Sequence, residues 1–421
     1  MKYISTRSNS PAASVSEAIQ KGLADDGGLY VPENFPVIDW SGIKNWNDFP
    51  SVAAYALKPF FEGDPLQGEL DEICKSAFNF PLPLDLVTDR VAFLELFHGP
   101  TAAFKDVGAR FLSECLVRIR KNNPRPLTIA VATSGDTGGA VAAAFYNKPG
   151  IKVKVLFPKG RVSERQEKQL TCWGGNIEAY SVRGTFDDCQ KLVKEAFTQS
   201  WITENTDLSS ANSINIARLL PQMTYYVYAA NLYYRLTDEK PVVIIPSGNV
   251  GNSAGAFWAK QIGAPIKEIV LAVNANRPIP DFLETGKWEP RASIQTLANA
   301  MDVGNPSNME RIRNLFPDFS ELKAAFTSFS VSDEEIKKTI KTTFVQSGMV
   351  LCPHTAVGEF VRKRWFPDSF TIVVATAHPA KFETIVEPEI GQKVSVPTVL
   401  SDLLNRQSFV KEIDPDLHSF F

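Results

Sequence analysis

From about residue 90 the chain repeats one pattern: a short apolar run, a glycine-bearing polar loop, then apolar residues at helical spacing. Val91 to Phe97 reads as a strand, followed by a short loop and an amphipathic helix beginning near Val107. Leu127 to Thr133 reads as the next strand, Ser134-Gly135-Asp136-Thr137-Gly138-Gly139 as its loop, Ala140 to Tyr146 as a helix and Ile151 to Phe157 as a further strand. Asn176 to Ser181 predicts another strand, ahead of a helix whose apolar face carries Phe186, Cys189, Leu192, Val193, Ala196 and Phe197. The succession returns at Val242 to Ile245, with a loop from Pro246 to Asn252 and a helix from Ser253. It returns again at Thr371 to Ala375, with Thr376-Ala377-His378-Pro379 and a helix from Ala380. Strands alternating with helices predict parallel sheet covered on both faces.

The remainder is patterned differently. Residues 1–90 are irregular, with turns such as Asp26-Gly27-Gly28 and Pro81-Leu82-Pro83 between helical patches, and read as an N-terminal region packed on the core. Residues 91–205 are expected to form a smaller α/β domain and 206–421 a larger one. The Pro- and Asn-rich stretch 276–322 has few strand signals and predicts loops and short helices. A length of 421 residues fits two or three domains.

Composition excludes several classes. A net charge of −3 gives no footprint for nucleic acid or another polyanion, and 44% hydrophobic with 22% charged residues describes a soluble globular chain. No apolar run reaches membrane-spanning length, and the N-terminus lacks a signal-peptide core. The five cysteines (74, 115, 172, 189 and 352) form no metal spacing and suit a reducing cytoplasm. The four histidines (98, 354, 378 and 418) show no HExxH arrangement, so no metal site is expected. His98 and His378 read as packing residues.

The candidate chemistry lies in the loops, which in open α/β sheets sit beyond the carboxyl ends of strands. Lys105 ends the run His98-Gly99-Pro100-Thr101-Ala102-Ala103-Phe104 at a loop-to-helix junction. Alone it reads as an ordinary surface lysine. Held on a short bend among apolar residues it can be desolvated, which lowers its pKa and makes it a nucleophile able to form a Schiff base. Ser247-Gly248-Asn249-Val250-Gly251-Asn252 has two glycines, no acidic residue and a helix after it, and reads either as a phosphate cup or as a tight turn. Thr133-Ser134-Gly135-Asp136-Thr137-Gly138 offers hydroxyls and backbone donors suited to a carboxylate, or an N-capped turn. The Thr376 hydroxyl could bond a heteroaromatic nitrogen or cap the next helix. A Schiff-base lysine, two anion cups and a hydroxyl on separate strand ends together describe a pyridoxal-phosphate site.

These motifs, with Tyr3-Ile4-Ser5-Thr6-Arg7, Asp26-Gly27-Gly28-Leu29-Tyr30-Val31-Pro32-Glu33, Asp187-Asp188-Cys189, Asn212-Ser213-Ile214-Asn215, Pro353-His354-Thr355-Ala356-Val357-Gly358 and Thr376 to Phe382, resemble threonine synthases, in order along nearly the whole chain. The resemblance implies a fold type II, tryptophan-synthase-like α/β enzyme with two open, mostly parallel twisted sheets flanked by helices. It implies pyridoxal 5'-phosphate as cofactor and O-phospho-L-homoserine as small-molecule substrate, converted with water to L-threonine and phosphate in the cytoplasm by a monomer or homodimer, with no nucleic-acid or membrane partner. Lys105, beside Phe104, would carry the cofactor in the smaller domain. Ser247 to Asn252 in the larger domain would hold its phosphate, and Thr376 would face the pyridine nitrogen. Thr133 to Gly138 would receive the substrate carboxylate. Arg161, Asn212, Ser213, Asn215, Arg218 and Lys381 are candidates for the substrate phosphate, each equally readable as helix-surface or N-cap polarity. Asp136 departs from the asparagine common in the wider fold type. A carboxylate beside the cofactor phenolate would be repelled unless protonated or turned away, so the partner of that oxygen stays open. A threonine or serine dehydratase of the same fold, or a non-catalytic cofactor-binding homologue, would share the lysine and the phosphate cup.

Overall fold

The computed structural model describes residues 1–133 and 135–421, and in it the apolar runs become strands buried on both faces. An antiparallel pair, β1 (Tyr3–Ser5) and β2 (Tyr30–Pro32), belongs to the N-terminal region. The chain then gives β3 (Leu84–Leu86), β4 (Val91–Glu95), β5 (Leu127–Ala132), β6 (Ile151–Pro158), β7 (Ile177–Val182), β8 (Asp207–Ser209), β9 (Val242–Pro246), β10 (Glu268–Val273), β11 (Phe326–Ser330), β12 (Thr371–Ala375) and β13 (Lys411–Ile413). These form a larger sheet in the order β11-β10-β9-β12-β4-β3 and a smaller one in the order β13-β7-β6-β5-β8. Both are parallel except for the β3–β4 pair. Every residue of β5, β9 and β12 is buried, which is why these strands read as continuous apolar runs rather than alternating ones.

Sheet membership departs from the division expected at residues 90 and 205. β3 and β4 bond into the larger sheet, whereas β8 and the C-terminal β13 bond into the smaller one. Strand pairing joins residues far apart in sequence, so a boundary drawn along the chain does not find it.

The larger sheet sets the geometry of the site. Thr371 of β12 pairs with both Val242 of β9 and Val91 of β4, so the three strands end level. Neighbouring strands lie about 4.8 Å apart, so the segments leaving their carboxyl ends are neighbours as well. From β9 the sheet continues to β10 on one side, while β12 returns on the other; this reversal of direction is a switch-point crevice. The Ile216–Thr237 helix, buried over most of its length, packs against the Gly251–Gln261, Lys105–Ile119 and Phe49–Leu57 helices. Tyr3, Ile19, Tyr30, Phe49 and Phe60 enter the same core, so the N-terminal region is part of the main body. The stretch 276–322 forms loops and short helices, as its composition predicts.

Helices begin earlier than the apolar spacing predicts: at Lys105 instead of Val107, at Asp136 instead of Ala140 and at Gly251 instead of Ser253. In each case the polar loop supplies the first turn, whose N–H groups have no intrahelical acceptor. After Thr376 a short 3-10 turn, Pro379–Phe382, precedes the Glu383–Ile390 helix.

Candidate active site

The bend before Lys105 is tied to the segment leaving β12. The Leu96 N–H donates to the Ala375 carbonyl at 3.0 Å, Phe104 N–H to Thr376 at 2.8 Å and His378 N–H to Ala102 at 3.0 Å. Asp106 lies buried beneath the bend, accepting from the Thr101 N–H at 2.8 Å and the Thr101 hydroxyl at 2.7 Å. A Cβ at Gly99 would come within 2.5 Å of that carboxylate, so only glycine fits. Lys105 Nζ donates to Thr137 Oγ1 at 2.9 Å and lies 5.5 Å from the Phe104 ring centre. Some of the side chain is accessible, but its amine sits among protein atoms. Burial lowers its pKa to about 8; Asp136 pulls it upward, while Arg218 and Lys381 push it further down.

The Ser247–Asn252 loop faces the same crevice. The Ser247 N–H bonds the Ala272 carbonyl and its hydroxyl bonds Ile245 and Ser253, so Ser247 is committed to the scaffold. Among the described residues, no backbone acceptor is met by the N–H groups of Gly248, Asn249, Val250, Gly251 and Asn252. Val250 stands at φ 63°, a left-handed conformation costly for a β-branched residue, which turns the loop into the helix. Asn252 is buried; its Oδ1 accepts from the hydroxyls of Tyr225 and Tyr226, while its Nδ2 has no partner among the described residues. Free amides, an orphaned buried side-chain donor and a helix start form a donor set that fits a phosphate. A Cβ at Gly248 would lie 2.7 Å from Met301 Cα, so the backbone there is closely covered.

The third loop crosses from the smaller sheet. Thr133 Oγ1 accepts from the N–H groups of Gly135 at 3.0 Å and Gly138 at 2.9 Å, fixing the turn; Ser134 lies outside the described residues. Asp136 is ion-paired with Lys381 Nζ at 2.8 Å and accepts from Gln166 Nε2 at 3.1 Å. Burial favours its neutral form, but the Lys381 and Lys105 charges outweigh that and hold its pKa at about 2. The carboxylate is therefore ionised, with its charge compensated by Lys381.

The six candidates for the substrate phosphate separate by surroundings. Arg161 is exposed and Asn212 half-buried. Ser213 accepts from Asn249 Nδ2 at 2.7 Å and Asn308 Nδ2 at 3.3 Å, as a strut behind the Ser247–Asn252 loop. Asn215 caps the long helix and donates to the Ile19 and Ser210 carbonyls. Lys381 is fully buried on Asp136 and the Thr101 carbonyl. Arg218, also buried, donates to the Ala211 carbonyl and leaves Nε unpartnered among the described residues, beside Gly108 and one turn from Lys105. Sequence reasoning did not single out His354, whose Nε2 accepts from the Ala300 N–H at 3.1 Å and whose pKa falls to about 4, chiefly through burial. His378 accepts from the Ala380 N–H and is likewise lowered to about 4, first by burial.

The model of a family described as pyridoxal-phosphate dependent enzyme matches residues 85–374. The chain is therefore a pyridoxal-phosphate dependent enzyme, of fold type II. Models described as threonine synthase N terminus and threonine synthase, C-terminal match residues 2–78 and 355–420. A threonine synthase of Haemophilus influenzae is 40% identical over 95% of this chain and 94% of its own, and one of Escherichia coli 39% identical over 96% and 94%. The crystal structure of the Escherichia coli threonine synthase superposes with a TM-score of 0.91 at 38% identity, covering 100% of this chain and 98% of that one. The PLP-bound threonine synthase from Brucella melitensis gives 0.92 at 34%, covering 99% and 97%. The chain belongs to the threonine synthase family.

Proposed function

We propose that the enzyme converts O-phospho-L-homoserine and water to L-threonine and inorganic phosphate, with Lys105 as the catalytic residue. The observation that carries this reading is a half-buried lysine of lowered pKa held across a crevice from a cup of free amides, in a chain that matches its threonine synthase relatives over nearly their full length. Lys105 would hold the cofactor's aldehyde end, the Gly248–Asn252 loop its phosphate, Thr376 its ring nitrogen and Phe104 one side of the ring. Bound pyridoxal phosphate would supply the electron sink for breaking C–H bonds at the amine-bearing carbon and at the carbon next to it. The protein must then move protons at specified atoms. A lysine whose neutral form is favoured by burial can take a proton from carbon and return it, with the Thr137 hydroxyl at 2.9 Å steadying Nζ. The Thr133–Gly138 loop is assigned to the substrate carboxylate, with Thr133, Gly135 and Gly138 holding the turn and Ser134 and Thr137 as the remaining donors. Asp136 is assigned to holding Lys381. Arg218, whose Nε has no partner among the described residues, is favoured for the substrate phosphate, with Arg161 and Asn212 as flanking candidates.

Incubation of the purified enzyme with O-phospho-L-homoserine should release inorganic phosphate and threonine in equal amounts, and Lys105→Ala should abolish both. Keto-acid formation from threonine or serine without phosphate release would favour a dehydratase, and no product from any of these substrates would overturn the reading. We further infer a cytoplasmic monomer or homodimer, which sedimentation would distinguish. The cysteines are free and buried, as a reducing compartment allows, and among the described residues no helix is long and apolar enough to cross a membrane.

A further inference from the structure

The loop assigned to the cofactor phosphate contains no lysine or arginine, so an anion there meets only the partial charges of amides and a helix start. Its supporting network does reach a whole charge. Asn308, fully buried, donates from Nδ2 to the Asn249 carbonyl at 3.1 Å and to Ser213 Oγ at 3.3 Å. A Cβ at Gly251 would lie 3.3 Å from the same Nδ2. Asn308 Oδ1 in turn accepts at 2.6 Å from Nη1 of Arg311, which is 1% exposed. The rest of that guanidinium donates to the carbonyls of Tyr30 at 3.1 Å, Ser213 at 3.2 Å and Ile214 at 2.6 Å.

Every one of these acceptors is neutral. The neighbouring acid, Glu310, raises the Arg311 pKa through space but is bonded elsewhere, by the Thr6 hydroxyl at 2.6 Å and Arg7 Nε at 3.1 Å. Burial lowers the Arg311 pKa only to about 9, so the group is charged at neutral pH. A buried cation with no carboxylate bonded to it is only partly compensated, and a further anion nearby would stabilise it. We propose that Arg311 is a positioning residue for the cofactor phosphate, its charge offered to the Gly248–Asn252 loop through Asn308. The proposal rests on reading that loop as the phosphate cup. It also gives the N-terminal region a part in the site, since the Tyr30 carbonyl helps to fix the guanidinium.

The test compares apoenzyme affinity for pyridoxal phosphate with that for pyridoxal, which lacks the phosphate. A wild-type preference for the phosphorylated form checks the cup itself, and its absence would remove that reading independently of Arg311. Given that preference, Arg311→Met should lower it by about tenfold or more while leaving pyridoxal affinity within about threefold. Arg311→Lys, which keeps the charge, should retain most of the preference. An unchanged preference in Arg311→Met, or equal losses for both ligands or in both variants, would assign Arg311 a purely structural role and overturn the proposal. Should Arg311→Met fail to fold, Asn308→Ala carries the test. Interrupting the link should lower the same preference about threefold or more, and no change there would equally overturn it.

Discussion

A half-buried and a fully buried lysine lie near the crevice, and their neighbours set them to different tasks. Lys381 is locked on Asp136 at 2.8 Å, whereas among the described residues Lys105 has only a hydroxyl partner, and its pKa is about 8. Because the neutral amine is the nucleophile, capture of pyridoxal phosphate by the apoenzyme should accelerate as pH rises, reach half its maximum near about 8 and level off above. Stopped-flow absorbance would show this, and a midpoint in the ordinary lysine range would contradict the burial argument. Lys381→Met removes one half of an ion pair whose side chains are 0% and 5% exposed. Leaving a buried carboxylate uncompensated should destabilise the fold by about 3–5 kcal/mol in urea unfolding, and adding Asp136→Asn should recover part of that loss.

At the scale of elements, the informative feature is where helices start. The Gly251–Gln261 helix is entered through Val250 at φ 63°, and among the described residues the amides from Gly248 to Asn252, before and within its first turn, meet no backbone acceptor. Local strain of this kind persists only where the surroundings enforce it. The cover is the 299–301 turn, whose Met301 Cα would lie 2.7 Å from a Gly248 Cβ. Backbone cannot yield as a flexible side chain does. Gly248→Ala should therefore displace the loop at a cost of about 1–3 kcal/mol, read as a loss of about tenfold or more in pyridoxal-phosphate affinity by equilibrium titration. Unaltered affinity would show that the cup lies elsewhere.

For the whole molecule, the site is built from both sheets and from segments distant in sequence. The smaller sheet is closed at one edge by β13, and the Phe420 carbonyl accepts from buried Lys154 Nζ at 2.6 Å. Removing residues 411–421 unpairs the β7 edge and takes this acceptor from a lysine that is 7% exposed. The truncated enzyme should melt about 4 °C or more below the full chain, by differential scanning calorimetry, because a loss of about 1 kcal/mol already shifts a melting temperature by a few degrees. Pyridoxal-phosphate affinity should change by less than about threefold, since the cup belongs to the other sheet. An unchanged melting temperature would mean that the C-terminal strand contributes nothing to the smaller sheet.

Local chemistry alone made much of this legible. Strands buried on both faces leave unbroken apolar runs, so β4, β5, β6, β7, β9 and β12 stand out, and the loops after them carry Lys105, Thr133, Ser247 and Thr376 where parallel strands must end. β8, β11 and β13 are short or polar edge strands with no such run, and nothing local says which sheet they join. The role of Asp136, the burial of Lys381 and Asn215 and the link from Arg311 to the cup were decided by tertiary structure. Burial, counter-charge and hydrogen-bond partners come from residues hundreds of positions away, as Lys381 to Asp136 and Arg311 to Tyr30 show. The sequence by itself determined which groups could do chemistry and on which kind of loop they sit. Only the packing of the two sheets decided which of those groups are free to act and which are spent holding the others in place.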